Sequence, residues 1–515
     1  MEPTNYLYST LQSAQAAGDK VCMFLVDSEP ITYAALDRAA AQFAHALVSF
    51  GVGPGDRVAA QIEKSPTAIV MYLACVRAGA VFLPLNMAYT ATEVAYFVGD
   101  AEPSLLVVDP SRLDSLRDLA ALGNATAVMG VVTCDHHGNG TLRDRAFAQY
   151  DTFCDVERGP DDLAAMLYTS GTTGRSKGAM LTHGNLASNS MVLKDYWRFT
   201  EHDVLLHVLP IFHTHGLFVA TNVMLMAGGS LIFLPKFDPD QILELMPLAT
   251  AMMGVPTFYV RLLGHRGLTL DATRHMRLFV SGSAPLLAET HREWNARTGH
   301  AILERYGMTE TNMNTSNPYD GERIPGTVGY ALPGVDVRVT HPDNAEVLGA
   351  NEIGMIEVRG PNVFAGYWRN PEKTAAEFRP DGFFVTGDLG TIDDAGYVRI
   401  VGRGKDLIIT GGYNVYPIEI EAEIDAIDGV VESAVIGLEH KDFGEGVAAV
   451  VVVSPGVGVT AASILAALDG RLARFKQPKR VFLVDSLPRN AMGKVQKNVL
   501  RDTYRGTFTS ETGVA

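Results

Sequence analysis

Up to about residue 400 the chain repeats one pattern of apolar and polar positions. Short unbroken apolar runs, RVAAQI (57–62), AVFLPL (80–85), SLLVVD (104–109), SLIFLP (230–235) and RLFVSG (277–282), alternate with longer stretches in which apolar residues recur every three or four positions. Short runs bounded by turn formers predict strands buried in a sheet, and the 3.6-residue period predicts helices with one dry face. YAALDRAAAQFAHALVSFG (33–51) is such a helix, closed by Gly51. The alternation predicts α/β layers, with helices laid over the sheets.

The pattern changes around GRGKDLIITGGYNVYP (402–417), a glycine-dense segment. Beyond it, strand signals SAVIGL (433–438), AAVVVV (448–453) and RVFLVD (480–485) bracket helical stretches PIEIEAEIDAI (417–427) and ASILAALDGRLARF (462–475). In the second stretch Ile464, Leu465, Leu468, Leu472 and Phe475 share one face. About a hundred residues with a core of their own suffice for a domain. The sequence therefore predicts a large N-terminal domain over 1–404, a small α+β domain over 405–505 and a loosely ordered tail over 506–515. No repeat at solenoid periods is present.

Composition narrows the function classes. Of 515 residues, 47% are hydrophobic, which suits a globular chain with a sizeable core. The 58 acidic and 42 basic residues give a net charge of −16, which disfavours nucleic acid or an anionic membrane as partner, so an anionic ligand has to be met by local cations. Cys22, Cys75, Cys134 and Cys154 show no CxxC spacing and predict neither a disulfide framework nor a zinc site. MEPTNYLYSTLQ lacks a basic and apolar leader pattern, no segment reaches 18 apolar residues, and ETGVA is not a peroxisomal address; the expectation is a cytoplasmic protein.

YTSGTTGRSKG (168–178), directly after the apolar run LAAML, is the most informative short stretch. Gly171, Gly174 and Gly178 permit close approach of main-chain N–H groups, Thr169, Ser170, Thr172 and Thr173 add hydroxyls, and Lys177 adds a compact charge. That set suits a polyphosphate. It is not the P-loop pattern G-x-x-x-x-G-K-[ST], because Ser176 occupies the second glycine position, and a plain Gly/Ser/Thr connector has the same composition.

Together with LPIFHTHGL, SGSAPL, RYGMTET, GYWRNPEKT, FFVTGDLG, GRGKDLIITGGYNVYPIEIE and PRNAMGKVQK, in that order along nearly the whole chain, this stretch resembles the acyl-adenylate-forming superfamily of acyl-CoA synthetases, luciferases and adenylation domains. The resemblance implies a large N-terminal domain and a small mobile C-terminal one, with the active site between them, and ATP, Mg²⁺ and CoA as cofactor set. It implies that the glycine-rich loop holds the β- and γ-phosphates, that Tyr306 stacks on adenine, and that Thr309 contacts the α-phosphate. It further implies that Glu310 helps hold Mg²⁺ and that Asp388 and Arg403 contact the ribose, although an interdomain salt bridge is an equal reading of Arg403. Lys494 would neutralise charge as pyrophosphate departs. Lys405 would be the hinge about which the small domain turns, exchanging Lys494 for a CoA tunnel that Gly411 and Gly412 help to form. By the same resemblance Lys494 is a target for a lysine acetyltransferase and deacetylase, since acetylation deletes its charge.

Arg305 points to the acid. Fatty and aromatic acid relatives carry a small or apolar residue just before the tyrosine of the YGMTE turn; an arginine there needs either a protein carboxylate such as Glu304 or a second carboxylate on the substrate. Arg261 is the candidate for the opposite wall, or else a residue on the wet face of a helix. The combination ERYGMTETNMNTSNP and FHTHGLF is most similar to malonyl-CoA synthetases, implying malonate, with methylmalonate open. By that resemblance His213 gates the pocket and Ser281, Ser283 and Met308 line it, while His215 is either a substrate contact or a structural histidine. Other readings are a synthetase for another short acid and an enzyme that charges a carrier protein.

Overall fold

The computed structural model describes residues 5–12, 18–26, 28–117, 130–169, 176–411, 413–469, 471–490 and 493–508. By packing these fall into two units, one comprising Met1–Val337 and Val358–Phe384 and the other Arg338–Glu357 and Val385–Ala515. Lys405 lies inside the second unit, in the single 3₁₀ turn Gly404–Asp406.

All five apolar runs form strands of the first unit. Val81–Pro84, Leu105–Val108, Ser230–Phe233 and Leu278–Ser281 are buried at every position, as parallel strands covered on both faces should be. One sheet places Val21–Leu25, Ser230–Phe233, Val204–His207, Ala251–Gly254, Leu278–Ser281 and Leu303–Met308 side by side and parallel; antiparallel Asn312–Ser316 and Tyr330–Ala331 extend one edge, and Ile31–Thr32 the other. A second sheet runs Gly130–Thr133, Leu105–Val108, Arg57–Gln61, Val81–Pro84 and Leu163–Thr169 in parallel, then turns antiparallel through Lys177–Thr182 and Gly366–Tyr367. The helix Tyr33–Ser49 begins where the Thr32 side chain accepts from the Ala35 amide at 3.2 Å, and buries Leu36, Ala40, Phe43 and Leu47 at helical spacing. Gly51 follows at φ 85°, a left-handed conformation that glycine adopts without penalty.

Two features of this topology position chemistry. Register aligns Gly254 with Ser281 and Ser281 with Glu304, so the parallel pairing of these three strands stops at one level and delivers Gly282, Ser283 and Arg305 beyond their carboxyl ends, the usual place for ligands in parallel sheets. The antiparallel strands Leu163–Thr169 and Lys177–Thr182 pair Thr169 with Lys177. Ser170, Gly171, Thr172, Thr173 and Gly174, the expected phosphate contacts, lie outside the described residues.

The second unit holds most of a four-stranded sheet, Asp336–Thr340, Gly354–Arg359, Phe384–Ile392 and Val398–Arg403, and a five-stranded one built on Gly444–Val453. That valine-rich strand is dry on both faces, with Val447, Ala449 and Val451 in one cluster and Ala448, Val450 and Val452 in another. The helix expected to reach Phe475 ends at Leu468: Asp469 is extended at φ −65°, ψ 130°, and breaks the hydrogen-bond ladder. Leu472 still packs against the core, whereas Phe475 stacks on Tyr413 at 4.7 Å. At the start of the expected tail, Phe508 packs against His440 and beside Gly446; residues 509–515 lie outside the described residues. Among the described residues no helix is long and apolar enough to cross a membrane.

Candidate active site

In the first unit, Lys177 opens its strand with Nζ 5.4 Å from the centre of the Tyr367 ring. The Tyr367 hydroxyl lies 3.1 Å from Glu310 Oε1 and 2.7 Å from Glu377 Oε2, and Glu377 also meets Lys373 at 2.6 Å. Glu310 is buried, and the Phe364 amide donates to its main-chain carbonyl at 2.7 Å. Its oxygen donors suit a hard cation, and among the described residues no group of three or more His, Cys, Asp or Glu is placed to hold a metal. Glu310 fits Mg²⁺ as one protein ligand to an ion carried mainly by phosphates, because carboxylate oxygens suit a hard cation. Thr309 sits half-buried beside it, and Tyr306, half-buried, pairs in register with Thr315.

The second feature of this unit is a buried cation. Arg305 is 3% exposed, and its Nε and Nη2 have no hydrogen-bond partner among the described residues. Burial pulls its pKa down to about 9, with the nearby Tyr259 phenol opposing, so it stays charged at neutral pH. Burial, and then Arg305 itself, pushes His213 down to about 4 and His215 well below the usual histidine range, so both imidazoles are neutral. Ser283 Oγ lies 3.2 Å from His215 Nδ1 and is held there by a left-handed backbone, φ 72°, that a non-glycine residue adopts only under constraint. His215 Nε2 and the fully buried Ser281 Oγ lack partners among the described residues. A seven-residue π-helix, His215–Thr221, carries this turn, and the Thr221 hydroxyl donates to the Gly216 carbonyl at 2.9 Å.

Glu304 does not neutralise Arg305. Its carboxyl accepts from the Leu286 amide at 3.2 Å, and burial raises its pKa to about 8. A folded-state value raised above that of the unfolded chain means stability falls as pH rises from about 4.5 to about 8 and is level beyond. Glu304→Gln keeps an acceptor for Leu286 and has no proton to lose. Its melting temperature relative to the parent is therefore expected to climb by a few degrees from pH 5 to pH 8, and parallel melting curves across that range would contradict the assignment.

Arg261 is not brought to this cluster. It lies on the exposed face of the helix Pro256–Leu263, its guanidinium over the Phe237 ring at 5.8 Å, and so follows the wet-helix alternative. Met308 is half-buried on the Arg305 strand, paired with Asn312.

In the second unit, Asp388 and Arg403 face each other across the hairpin of Phe384–Ile392 and Val398–Arg403, with Nε to Oδ1 at 2.8 Å. This pair lies within the second unit, so it is not itself the interdomain salt bridge, and a carboxylate so paired has oxygen capacity left for ribose hydroxyls. Lys494 is half-buried; burial and then Arg403 lower its pKa to about 8, against opposing pulls from Asp388 and Asp406. Next to Lys405, Asp406 is paired with Arg501 at 2.6 Å. Gly411 forms the turn between Ile408–Thr410 and Tyr413–Val415 at φ 58°, its amide donating to the Phe443 carbonyl at 2.8 Å. Gly412 lies outside the described residues.

A lysine at the head of its strand, a buried carboxylate suited to a hard cation, and an aspartate with an arginine beside a low-pKa lysine are the chemistry that an ATP-using adenylating enzyme needs. The chain belongs to the AMP-binding enzyme family: it matches that family over residues 11–368 and the AMP-binding enzyme C-terminal domain over 419–494. More particularly, it is 62% identical to the ATP-bound MatB of Rhodopseudomonas palustris, covering 98% of this chain and 100% of that one with a TM-score of 0.96. It is 35% identical over 487 residues to a malonate–CoA ligase of Arabidopsis thaliana, covering 88% of this chain and 78% of that protein. A mitochondrial malonate–CoA ligase of Mus musculus is 36% identical over 497 residues, covering 89% and 83%.

Tyr367 and Gly282 were within motifs noticed in the sequence, GYWRNPEKT and SGSAPL, yet carried no individual expectation. Only distance reveals that a tyrosine fifty-seven positions away in sequence bridges Glu310 and Glu377.

Proposed function

We propose that this protein is a malonate–CoA ligase that forms malonyl-CoA from malonate, ATP and CoA through malonyl-AMP. One carboxylate of malonate attacks the α-phosphorus of ATP; the new P–O bond forms as the bond to the departing pyrophosphate breaks. The CoA sulfur, losing its proton, then attacks the acyl carbon and AMP leaves. No protein nucleophile is needed. Binding, orientation and charge neutralisation supply the acceleration.

Lys177 and the glycine-rich stretch before it hold the terminal phosphates, Tyr306 the adenine, Thr309 the α-phosphate, and Asp388 with Arg403 the ribose. Mg²⁺, when bound, screens phosphate charge, and Glu310 is its protein ligand, held by Tyr367. Lys494 stabilises the charge that develops during adenylation, and a pivot at Lys405 exchanges it for the Gly411–Gly412 turn that admits the CoA arm. His213 and His215, both neutral, leave Arg305 as the charge that faces the acid.

Arg305 is the observation that carries the substrate assignment. A buried guanidinium with two unpartnered nitrogens is costly in an apolar acyl pocket and is satisfied by a second carboxylate in bidentate geometry. AMP formation with ATP, Mg²⁺ and CoA is to be measured across acetate, propionate, malonate, methylmalonate and succinate. Malonate is expected to lead; equal rates with the monoacids would sink the assignment while leaving the ligase chemistry intact. Adenylate that persists when free CoA is added would instead favour a carrier-protein acceptor.

Asp388→Asn tests the ribose contact. The amide keeps one oxygen and loses the charge that balances Arg403, so KM for ATP is expected to rise about tenfold, the cost of one charge-assisted hydrogen bond, with KM for malonate little changed. A matching rise for malonate would assign Asp388 a general structural role.

A further inference from the structure

Arg305 owes its placement to an absent side chain. A Cβ built on Gly282 would lie 2.4 Å from Arg305 Cζ, 2.6 Å from Nη1 and 2.7 Å from Nε, far inside any van der Waals contact. With C–N bonds of about 1.33 Å, a point 2.4 Å directly above the central carbon lies about 2.7 Å from each nitrogen. The guanidinium is thus laid broadside across the Gly282 Cα, its plane facing the missing side chain.

The backbone gives no other reason for glycine at this position, since Gly282 is not among the residues with positive φ. The turn around it is pinned on both sides: Ser283 by its hydroxyl on His215 Nδ1, and Leu286 by its amide on the Glu304 carboxyl. On the strand side, Ser281 is fixed in register with Gly254 and Glu304. A methyl group at 282 therefore cannot push the turn away. The guanidinium, at the far end of a flexible chain, has to move by about 1 Å or more.

We propose that Gly282 is a specificity-determining position: its lack of a side chain gives the Arg305 guanidinium the flat seat from which Nε and Nη2 can receive the second carboxylate of a diacid. This rests on the reading of Arg305 as the receptor for that carboxylate. Gly282 acts through Arg305 and touches no reacting atom, so it is a positioning residue. Bidentate pairing depends on the plane of the fork, and a 1 Å misplacement of a bound group can cost about 10²-fold.

The test is Gly282→Ala, assayed by AMP formation with malonate and with butyrate, alone and combined with Arg305→Ala. Gly282→Ala is expected to lower kcat/KM for malonate by about 30- to 100-fold, chiefly through KM, and to change butyrate by less than about threefold. In the Arg305→Ala background the second substitution should change malonate turnover no further, because the group it displaces is gone. Equal losses for both acids, additive losses in the double variant, or failure of Gly282→Ala to fold would each overturn the proposal and assign Gly282 to the fold. Arg305→Lys provides a second reading, since an ammonium has no plane to seat: adding Gly282→Ala to it should cost malonate much less than in the parent, and an undiminished cost would contradict the seat. If the parent enzyme itself shows no preference for malonate, the reading of Arg305 fails; if it prefers malonate and Gly282→Ala keeps that preference, only the role of Gly282 fails.

Discussion

Lys494→Ala is expected to lower malonyl-AMP formation by about 10³-fold, read as pyrophosphate release in a single turnover, while thioester formation from supplied malonyl-AMP and CoA falls by less than about tenfold. The lysine stands at the end of a short bridge in which the Asn490 amide donates to the Lys494 carbonyl at 2.9 Å and the Lys494 amide to Asn490 Oδ1 at 2.9 Å, so the backbone beneath the ammonium is fixed. Removing one preorganised donor from a developing oxyanion costs about 10²–10³-fold, and a full positive charge belongs at the upper end. Its pKa of about 8 adds a second reading. The protonated form is the active one, so adenylation should decline as pH rises through about 8, well below the range of an ordinary lysine. Lys494→Arg should retain charge at high pH and lose that limb, even if the longer, planar head lowers the plateau. Equal damage to both half-reactions would mean that Lys494 serves the fold or both steps alike.

Arg305→Ala is expected to reverse substrate preference. For malonate, kcat/KM should fall by about 10²–10³-fold, the equivalent of about 3–4 kcal/mol for stranding one charge of a desolvated pair. For butyrate it should hold or rise, because a buried cation without a partner is removed and apolar volume is gained. His213 gives an internal check: with Arg305 gone, one of the two influences that depress its pKa is lost, so its imidazole should titrate above about 4, visible by NMR. A variant that loses both acids alike, or that keeps malonate first, would contradict the carboxylate role.

Particular residues show how much of this was legible in the sequence. The buried strands were, because a four-residue run such as Leu105–Val108 has no amphipathic alternative. The order of motifs singled out Glu310, Asp388 and Lys494 without coordinates, although Asp388 lies in the middle of the strand Phe384–Ile392 and not at a strand end. Helix length was not legible past Leu468, where the apolar period continues through Leu472 although the chain has already turned extended at Asp469. Nor was the side chosen by Arg261, since Leu262 and Leu263 next to it are buried and a helix face one position away is wet. Contacts between distant segments, Gly282 beneath Arg305 or Tyr367 against Glu310, are set by strand register and have no local signature.

The solitary charge of Arg305 also bears on how a catalytic cycle ends. On the proposed reading, the carboxylate it receives takes no part in the reaction and is carried unchanged from malonate to malonyl-AMP to malonyl-CoA. An interaction equal in all three states tightens each and speeds none of the steps between them. The same grip that selects the acid therefore retains the thioester, so product departure is expected to limit turnover and malonyl-CoA to compete with malonate, whereas a monoacid, held by neither, leaves freely.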